Sequence, residues 1–354
     1  MTARYPAPAL IDFACELLVA AGLDHDKAET VAEILTEGDL LGHTTHGLNL
    51  LPLYLADLEK GSMAKAGGPE VLADFPAAVT WDGRRLPGPW LVTQALALAV
   101  KRARQNGTGT VVIRRSHHIA CLAAYLRPVA EQGLLVLLSC SDPTLAGVAP
   151  HGGRTAVITP DPLAAAWPTE HGPVILDVSM SITSLGLARR LQAEGRPLPG
   201  VWALDPAGRP TADPAAVLGT PPGALLPLGG LDHGHKGYAL GLLVEALTGG
   251  LAGHGRADPA EGWTGTVFVQ VADPALFGGR EDFLRQTTWV ADACRATPPR
   301  EGFDRVRLPG EAAGAKRKQQ LALGVELYPG IMDALRPWAE KLDVLVPPAN
   351  AAGG

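Results

Sequence analysis

The strongest constraint on the fold is a change in hydrophobic period near residue 77 of this 354-residue chain. Residues 8–60 repeat apolar side chains at helical spacing, as in Leu10, Phe13 and Leu17. Beyond residue 77, short strand-like runs alternate with helical stretches; the clearest strands are 79–83, 110–113, 134–139, 174–176 and 265–271. This order predicts an α/β or α+β fold, and the periodicity leaves parallel and antiparallel strands equally open.

The predicted helices follow from apolar spacing and from glycine and asparagine signals at their ends. Asp26 and Glu29 resemble a capping box at the start of the second helix, and Gly61 occupies a typical position after the third. Residues 140–172 and 196–232 are rich in proline and glycine and are predicted as mostly irregular. Further helices are predicted over 91–104, 120–132, 182–194, 238–251 (buried), 281–296 and, twice, within 312–345.

Charge and cysteine content exclude several classes of protein. Thirty basic and 36 acidic residues give a net charge of −6, which offers no electrostatic reason to expect nucleic acid or an anionic membrane as partner. The four cysteines lie far apart with no C-x-x-C pair, which argues against a zinc ribbon and a disulfide framework. With no signal-peptide pattern and no long apolar window, the sequence predicts a cytoplasmic protein.

Common nucleotide and hydrolase motifs are missing from the sequence. No G-x-G-x-x-G follows a strand, so the usual dinucleotide fingerprint is absent. The segment 230–237 does not fit a P-loop, because His235 separates Gly234 from Lys236. Neither H-E-x-x-H nor G-x-S-x-G occurs.

Histidines carry the clearest chemical signal, because six of the ten fall in three clusters at element boundaries: GHTTHG (42–47), RRSHH (114–118) and DHGHKG (232–237). Histidine is the usual proton donor near neutral pH, although each of these could instead be a hydrogen-bonded loop residue. No carboxylate or cysteine near His43 and His46 completes a ligand set, so no metal site is predicted.

Two further polar residues have both a functional and a structural interpretation. Lys236 precedes an apolar helix, where it suits a phosphate or is simply solvated. Asp177 ends an apolar strand, where it could accept from ribose hydroxyls, orient a base or cap the next helix.

Five ordered motifs resemble the malate/L-lactate dehydrogenase-like family of NAD(P)-dependent oxidoreductases. They are GDLLGHTTHGLNLLPLYLADLEKG (38–61), SHH (116–118), the loop from SDP to PHGG (141–153), GHKGYAL (234–240) and VRLPGE (306–311). The resemblance implies a non-Rossmann fold with a mostly antiparallel central sheet and with helices from the N- and C-terminal segments packed together. It also implies a homodimer with a small-molecule substrate, without nucleic acid or membrane. The implied organisation is an N-terminal helical segment (1–75), a central cofactor-binding domain (76–310), C-terminal helices (311–345) and a flexible tail (346–354).

The same resemblance assigns roles to residues of this chain. It implies hydride transfer to or from a 2-oxo acid, a 2-hydroxy acid or a related carbonyl or cyclic imine, with NAD or NADP as cofactor. His118 would be the general acid/base, assisted by His46 and Thr45. The cofactor contacts would be Ser116, Ser141, Asp142, Asp177, Val178, Ser179, His235, Lys236, Gly237 and Gly310. The substrate contacts would be His46, Asn49, Tyr54, Asp142 and Thr159.

Departures from the family pattern concentrate near the expected substrate. Leu50 stands where the family has an arginine suited to a carboxylate, and Leu187 stands where several members have an acid or lysine. Either the substrate is less anionic or is held by other cations such as Arg114, Arg115 or Arg154, or the chain is a nucleotide-binding dimer, a sensor or scaffold, without ordinary turnover.

Overall fold

A computed structural model describes residues 3–259 and 262–350 of the chain. The helices of this described part are α1 (Ala7–Ala20), α2 (His25–Leu41), α3 (Leu51–Lys60), α4 (Gly88–Asn106), α5 (Arg127–Ala130), α6 (Leu185–Ala193), α7 (Pro214–Leu218), α8 (Gly230–Glu245), α9 (Arg280–Ala296), α10 (Glu311–Leu323) and α11 (Ile331–Leu342). The strands are β1 (Arg4–Tyr5), β2 (Glu70–Phe75), β3 (Ala78–Asp82), β4 (Thr108–Ser116), β5 (Leu135–Ser141), β6 (Leu163–Trp167), β7 (Val174–Val178), β8 (Ala203–Leu204), β9 (Pro210–Thr211), β10 (Ala224–Leu225), β11 (Gly265–Ala272) and β12 (Val325–Glu326).

A seven-stranded sheet forms the centre of the molecule, in the order β2-β3-β4-β11-β5-β6-β7. Every neighbouring pair is antiparallel except β3 and β4. The middle strand β11 buries Val267, Val269 and Val271 completely, in one apolar cluster with α4. The structure therefore confirms the expected mixed α/β fold with a mostly antiparallel sheet, in which a Rossmann glycine loop has no place.

Helices from the two ends of the chain share a second apolar core. Leu17, Leu35 and Leu55 of α1, α2 and α3 pack in one cluster with Leu335 of α11. β1 also pairs with β12, so the ends of the chain meet in one two-stranded sheet. This packing confirms the expected association of the N- and C-terminal segments, whereas the domain boundaries stay predictions.

The predicted tail 346–354 is described up to residue 350. There the backbone N–H of Asn350 donates to the carbonyl oxygen of Arg4 at 2.6 Å. Residues 351–354 lie outside the described part.

Several local predictions were wrong. Helix α2 begins at His25 after Asp24, so Asp26 lies inside its first turn and the Asp26–Glu29 capping box does not form. Residues 120–132 form a 3-10 turn (Leu122–Tyr125) followed by the short α5. The segments predicted as irregular contain β6 and a small sheet of β10, β8 and β9, whose strands of two residues are too short to show a period.

Helix α8 is predicted as buried, yet only one of its faces is. Its buried residues include Gly234, Gly237 and Gly241, and a Cβ at Gly237 would lie 2.5 Å from the backbone of Leu228. Glycine therefore permits close packing of α8 on the chain beneath it. On the other faces leucines are exposed: Leu231, Leu240, Leu242, Leu243 and, beyond the helix, Leu251. In the described part of the chain, no helix is both long and apolar enough to cross a bilayer.

Asp57 at the end of α3 joins three separate parts of the fold. Its carboxylate accepts hydrogen bonds from the Ser62 hydroxyl at 2.8 Å, His117 Nε2 at 3.0 Å and Trp263 Nε1 at 2.9 Å. Burial raises the pKa of Asp57, but these bonds outweigh it and lower the pKa to about 2. The charged carboxylate thus holds the end of β4 and the approach to β11 against the N-terminal helices.

Replacing Asp57 with Asn should weaken this junction in a pH-dependent way. A folded-state pKa of about 2 against an ordinary value of 3.8 corresponds to about 2 kcal/mol of unfolding free energy at pH 7. This contribution is present above pH 4 and is lost as the pH falls from about 4 to about 2. We expect the unfolding free energy of Asp57→Asn, measured in urea, to be lower than that of wild type by about 2 kcal/mol at pH 7. At pH 3 the difference should be about half as large.

The matched control is Asp282→Asn, because that carboxylate is 66% exposed and its ion pair among the described residues is with an equally exposed Arg285. It should change the unfolding free energy little at any pH. A difference between wild type and Asp57→Asn that stays constant from pH 7 to pH 3 would contradict the charge-based role.

Candidate active site

His118 lies at the centre of the candidate site, just beyond the end of β4. Its Nδ1 accepts a hydrogen bond from the backbone N–H of Ala120 at 3.1 Å. The hydroxyl of the fully buried Tyr54 donates to the His118 carbonyl oxygen at 2.9 Å and lies 3.1 Å from Nδ1. A backbone N–H can only donate, so Nδ1 is unprotonated and the ring proton belongs on Nε2.

Burial keeps this imidazole neutral. Desolvation lowers the pKa of His118 to about 3, and the neighbouring rings of His46 and His117 act in the same direction. At neutral pH the ring is therefore an uncharged group that donates from Nε2. Such an imidazole can polarise a carbonyl by hydrogen bonding without carrying a positive charge.

The GHTTHG segment forms a turn after α2 and brings a second histidine to His118. The His46 and His118 rings stack with centroids 5.9 Å apart and planes 18° apart. The Thr45 hydroxyl lies 2.9 Å from His46 Nδ1. Burial lowers the pKa of His46, and the negative charge of Asp177 opposes that shift. The three predicted catalytic residues thus meet in one place.

Asp39 holds this turn from below. Its carboxylate accepts the Leu48 N–H at 2.7 Å, and a Cβ at Gly47 would lie 2.4 Å from the same carboxyl group. Gly47 is therefore required at this point, because any side chain would displace Asp39. Asp39 was not predicted from the sequence, although it lies within the 38–61 motif, seven residues before His46.

His117 and Ser116 are structural neighbours of the site, with their polar groups turned into the protein. His117 is fully buried and donates from Nε2 to Asp57. Ser116 is also fully buried, and its hydroxyl donates to the His117 carbonyl oxygen at 2.8 Å. Trp263 packs on both histidines, with ring centroids 4.9 Å from His117 and 5.8 Å from His118. The predicted cofactor contact of Ser116 stays a prediction.

Ser141 and Thr159 lie together in a buried polar network that sequence reasoning did not foresee. The Ser141 hydroxyl donates to Glu245 at 2.8 Å and lies 3.2 Å from the Thr159 hydroxyl, which donates to Asp161. Arg256 donates to Glu245 at 2.7 Å. Burial and the charge of Glu245 raise the pKa of Asp161.

Asp142 follows Ser141 and presents an acceptor without a partner. One of its carboxylate oxygens accepts from the Thr144 N–H at 3.0 Å and from the Thr144 hydroxyl at 2.8 Å. The other oxygen is buried without a hydrogen-bond partner among the described residues. A buried acceptor of this kind suits a donor from a bound molecule.

Asp177 at the end of β7 points to the loop after His118. Its carboxylate accepts the Ala123 N–H at 2.9 Å, while Ser184 caps α6, so the capping alternative for Asp177 is wrong. Val178 is 42% exposed at the strand end, and the Ser179 hydroxyl donates to the Pro160 carbonyl at 3.1 Å.

The predicted phosphate-binding segment lies within α8, so Lys236 does not precede the helix as expected. His233 interrupts the helical conformation with φ −125° and ψ 15°, so Lys236 lies in the first turn after this kink. His235 and Lys236 are exposed, and the His235 ring lies 5.6 Å from His151 and 6.2 Å from His233. Three imidazoles and one ammonium group therefore share this surface.

Two other predicted residues lie at the edges of the site. Asn49 is exposed in the turn before α3. Gly310 adopts φ +85° before α10, and a Cβ there would lie 2.7 Å from the Ile175 carbonyl oxygen on β7.

The cations suggested as replacements for the family arginine are mostly occupied elsewhere. Arg114 and Arg115 both pair with the buried Asp82, at 3.0 and 2.7 Å. Arg190 of α6 instead donates to the Thr44 hydroxyl at 3.0 Å, within the GHTTHG turn. Sequence reasoning missed Arg190, because 146 residues separate it from Thr44.

Comparisons with known proteins agree with this arrangement. The chain is 34% identical over 341 residues to an L-lactate dehydrogenase of Cupriavidus necator, covering 94% of this chain and 96% of that protein. It superposes on the crystal structure of malate dehydrogenase from Entamoeba histolytica with a TM-score of 0.90, 23% identity and coverage of 98% and 100%, which supports the fold. A delta1-piperideine-2-carboxylate reductase from Pseudomonas syringae matches with a TM-score of 0.84, 29% identity and coverage of 96% and 100%.

The family model described as malate/L-lactate dehydrogenase matches residues 5–336, which is most of the chain. The match spans the histidine pair, the Ser141 network and the kinked helix α8 alike. The chain therefore belongs to the malate/L-lactate dehydrogenase family and is an oxidoreductase of that family.

Proposed function

We propose that this oxidoreductase transfers hydride between NAD(P)H and the carbon of a 2-oxo acid, the corresponding 2-hydroxy acid, or a related carbonyl compound or cyclic imine. The observation that carries the proposal is the half-buried His118, whose Nδ1 accepts from the Ala120 N–H and whose Nε2 is left as a donor. The names of the relatives, which include lactate and malate dehydrogenases and an imine reductase, support the same range of substrates.

The residues of this chain fit a dinucleotide. Lys236 has no ion-pair partner among the described residues and lies near His235 in the first turn after the α8 kink, which suits a phosphate. The unpartnered oxygen of Asp142 suits a hydroxyl or amide donor. When bound, NAD(P)H supplies the hydride. We further propose that Ser116, Ser141, Asp177, Val178, Ser179, Gly237 and Gly310 line the cofactor.

In this proposal His118 forms a hydrogen bond to the carbonyl oxygen or the imine nitrogen of the substrate. As negative charge develops there, the Nε2–H of His118 donates a hydrogen bond to it. The proton that completes the product passes through this nitrogen and is replaced from solvent, so the ring stays neutral, and the reverse reaction runs along the same path. The hydrogen bonds from Tyr54 and Ala120 hold the ring in the required tautomer. We propose that His46, which stacks on His118, and Thr45 orient the substrate.

The charges near the catalytic turn bear on the substrate class. Leu50 offers no partner to a carboxylate, and Arg114 and Arg115 are paired with Asp82. The guanidinium of Arg190 contacts the GHTTHG turn through the Thr44 hydroxyl. We propose that the substrate is less anionic than a dicarboxylate, with Asn49, Tyr54, Asp142 and Thr159 completing its pocket.

A substrate panel with both cofactors tests the proposal. The full chain is incubated with NADH or NADPH and with 2-oxo monoacids, 2-oxo diacids, diketones and cyclic imines, and the nicotinamide absorbance is followed. We expect turnover with at least one monocarboxylate or imine, and a higher kcat/KM than with diacids, because Leu50 removes a cation. Cofactor binding without turnover across the panel would instead support the sensor or scaffold alternative.

Replacing His118 with Asn should separate catalysis from cofactor binding. Asn cannot transfer a proton, so we expect kcat to fall by about 10²–10⁴-fold while the Kd for the cofactor changes little. Stopped-flow kinetics and cofactor fluorescence titration measure the two effects. The matched control is His171→Asn, a half-exposed histidine beside Asp292, which should keep full activity. Wild-type turnover in His118→Asn would show that another group provides the proton.

We also propose a homodimer in which a second copy covers helix α8. The second half of α8 is rich in leucine, yet within one chain the helix is covered mainly on its glycine face, and Leu240, Leu242 and Leu243 are exposed. Trp289 and Val290 of α9 are likewise 68% and 54% exposed. Apolar surface of this extent typically marks a protein interface.

A charge introduced on α8 should dissociate this dimer. Leu243 is 50% exposed, so Leu243→Glu should fold normally but shift the molar mass measured by light scattering from dimer to monomer. Leu345→Glu, at a position 89% exposed beyond α11, serves as the control and should stay dimeric. A wild-type chain that elutes as a monomer would contradict the proposal.

A further inference from the structure

Three potential metal ligands from distant parts of the sequence meet beside the candidate active site. His43 follows α2, Cys121 lies in the loop after His118, and Asp177 ends β7. One donor atom from each lies within 4.8 Å of the other two. The sequence did not indicate this group, because more than 50 residues separate each ligand from the next.

The donors match a thiophilic divalent cation. Imidazole nitrogen, thiolate sulfur and carboxylate oxygen are the ligands of tetrahedral Zn²⁺, with Zn–N near ~2.0 Å and Zn–S near ~2.3 Å. Tetrahedral geometry at those lengths sets donors roughly 3.5 Å apart, so a closing movement of about 1 Å satisfies the site. The sulfur ligand disfavours Mg²⁺ and Ca²⁺, which prefer oxygen alone.

Hydrogen bonds and backbone conformation hold the Asp177 and Cys121 side chains and the backbone of His43 in place without a metal. Ala120 adopts φ +60°, a conformation that non-glycine residues rarely occupy, and this turn directs Cys121 towards Asp177. Asp177 is fixed by the Ala123 N–H at 2.9 Å. The His43 N–H donates to the Gly38 carbonyl at 2.8 Å.

We propose that His43, Cys121 and Asp177 form a three-ligand site for Zn²⁺, and that filling this site inhibits the enzyme. Binding exchanges the Cys121 thiol proton for a sulfur–metal bond and releases that proton to solvent. The fourth position remains open to water, as in three-ligand zinc sites generally. The inhibitory part rests on the proposed function, because we place Asp177 beside the cofactor, and a metal bound there would occupy its carboxylate and neutralise its charge.

Cobalt titration tests the binding part independently of activity. The full chain is treated with EDTA, desalted and titrated with Co²⁺, with zinc added afterwards as competitor. We expect one equivalent to produce an intense sulfur-to-cobalt charge-transfer band in the near ultraviolet, together with visible bands typical of tetrahedral cobalt. Added Zn²⁺ should abolish both. A wild-type chain without the charge-transfer band overturns the proposal.

Two variants and one control assign the band to this site. Cys121→Ser should remove the charge-transfer band, and His43→Gln should weaken cobalt affinity by at least about tenfold. Cys294→Ser, which removes an exposed thiol on α9, should leave the titration unchanged. A band that persists in Cys121→Ser overturns the assignment. If Cys121→Ser loses its native circular dichroism, His43→Gln decides the question, because the half-exposed His43 is dispensable for packing.

An activity measurement tests the inhibitory part. We expect stoichiometric Zn²⁺ to suppress turnover of the wild type by tenfold or more, and EDTA to restore it, while Cys121→Ser remains active in the same zinc concentration. Stoichiometric binding without inhibition overturns the inhibitory role and leaves the metal site supported. A chain without dehydrogenase activity contradicts the proposed function, whereas the cobalt spectrum still decides whether the metal site exists.

Discussion

The Asp57 carboxylate is the junction on which the candidate site depends. It binds His117 and Trp263, and thereby fixes the end of β4 against the N-terminal helices. His118 follows directly, so its ring position is determined by a neighbour that cannot move without breaking a buried hydrogen bond. Trp263 packs against both histidines from the approach to β11. The reactive imidazole is thus positioned by the long-range packing of three segments, and a local loop alone would not hold it.

Helix α8 shows how one sequence serves two opposite surfaces. Glycines at 234, 237 and 241 let its inner face approach the chain beneath, where Leu228 lies against Gly237. The kink at His233 then exposes Lys236 in the first turn of the following segment, where it suits a phosphate. The outer leucines are exposed, and we propose that a second copy covers them, so cofactor binding and association of two copies would depend on the same helix. A change on its outer face could therefore affect the cofactor as well as the dimer.

Much of the architecture could be predicted from local pattern. Helical spacing identified α1, α2 and α3 within the first 60 residues, and β4, β5, β7 and β11 stand out as apolar runs. β6 was missed, because the run LAAAW (163–167) is mostly alanine, which has little strand preference. The capping box failed because Asp24, two residues earlier, precedes the helix instead. Short strands such as β8 depend on tertiary pairing and leave no periodic signal.

The site was less predictable, because its decisive contacts join residues that are distant in sequence. The motif containing His46 and the one containing His118 were recognisable, but the stacking of their rings depends on how α3 and β4 pack. Glu245 lies 104 residues from Ser141, and no sequence pattern links the two. The same holds for Cys121 and Asp177, whose thiol and carboxylate belong to different motifs.

The neutrality of the half-buried imidazoles of His46 and His118 narrows the chemistry that this site can perform. Burial lowers the pKa of both His46 and His118. For His46, the negative charge of Asp177 partly opposes this lowering of the pKa. A site built on imidazolium would favour a strongly anionic substrate, whereas two neutral rings provide hydrogen-bond donors without a positive charge of their own. The guanidinium of Arg190, at the Thr44 hydroxyl, and the ammonium of Lys316, beside Gly42, both lie at this turn, so they can contribute to the selection of the substrate together with hydrogen-bond geometry. This charge distribution supports our proposal that the substrate is less anionic than a dicarboxylate, because the neutral rings leave no buried cation unpaired when a second carboxylate is absent.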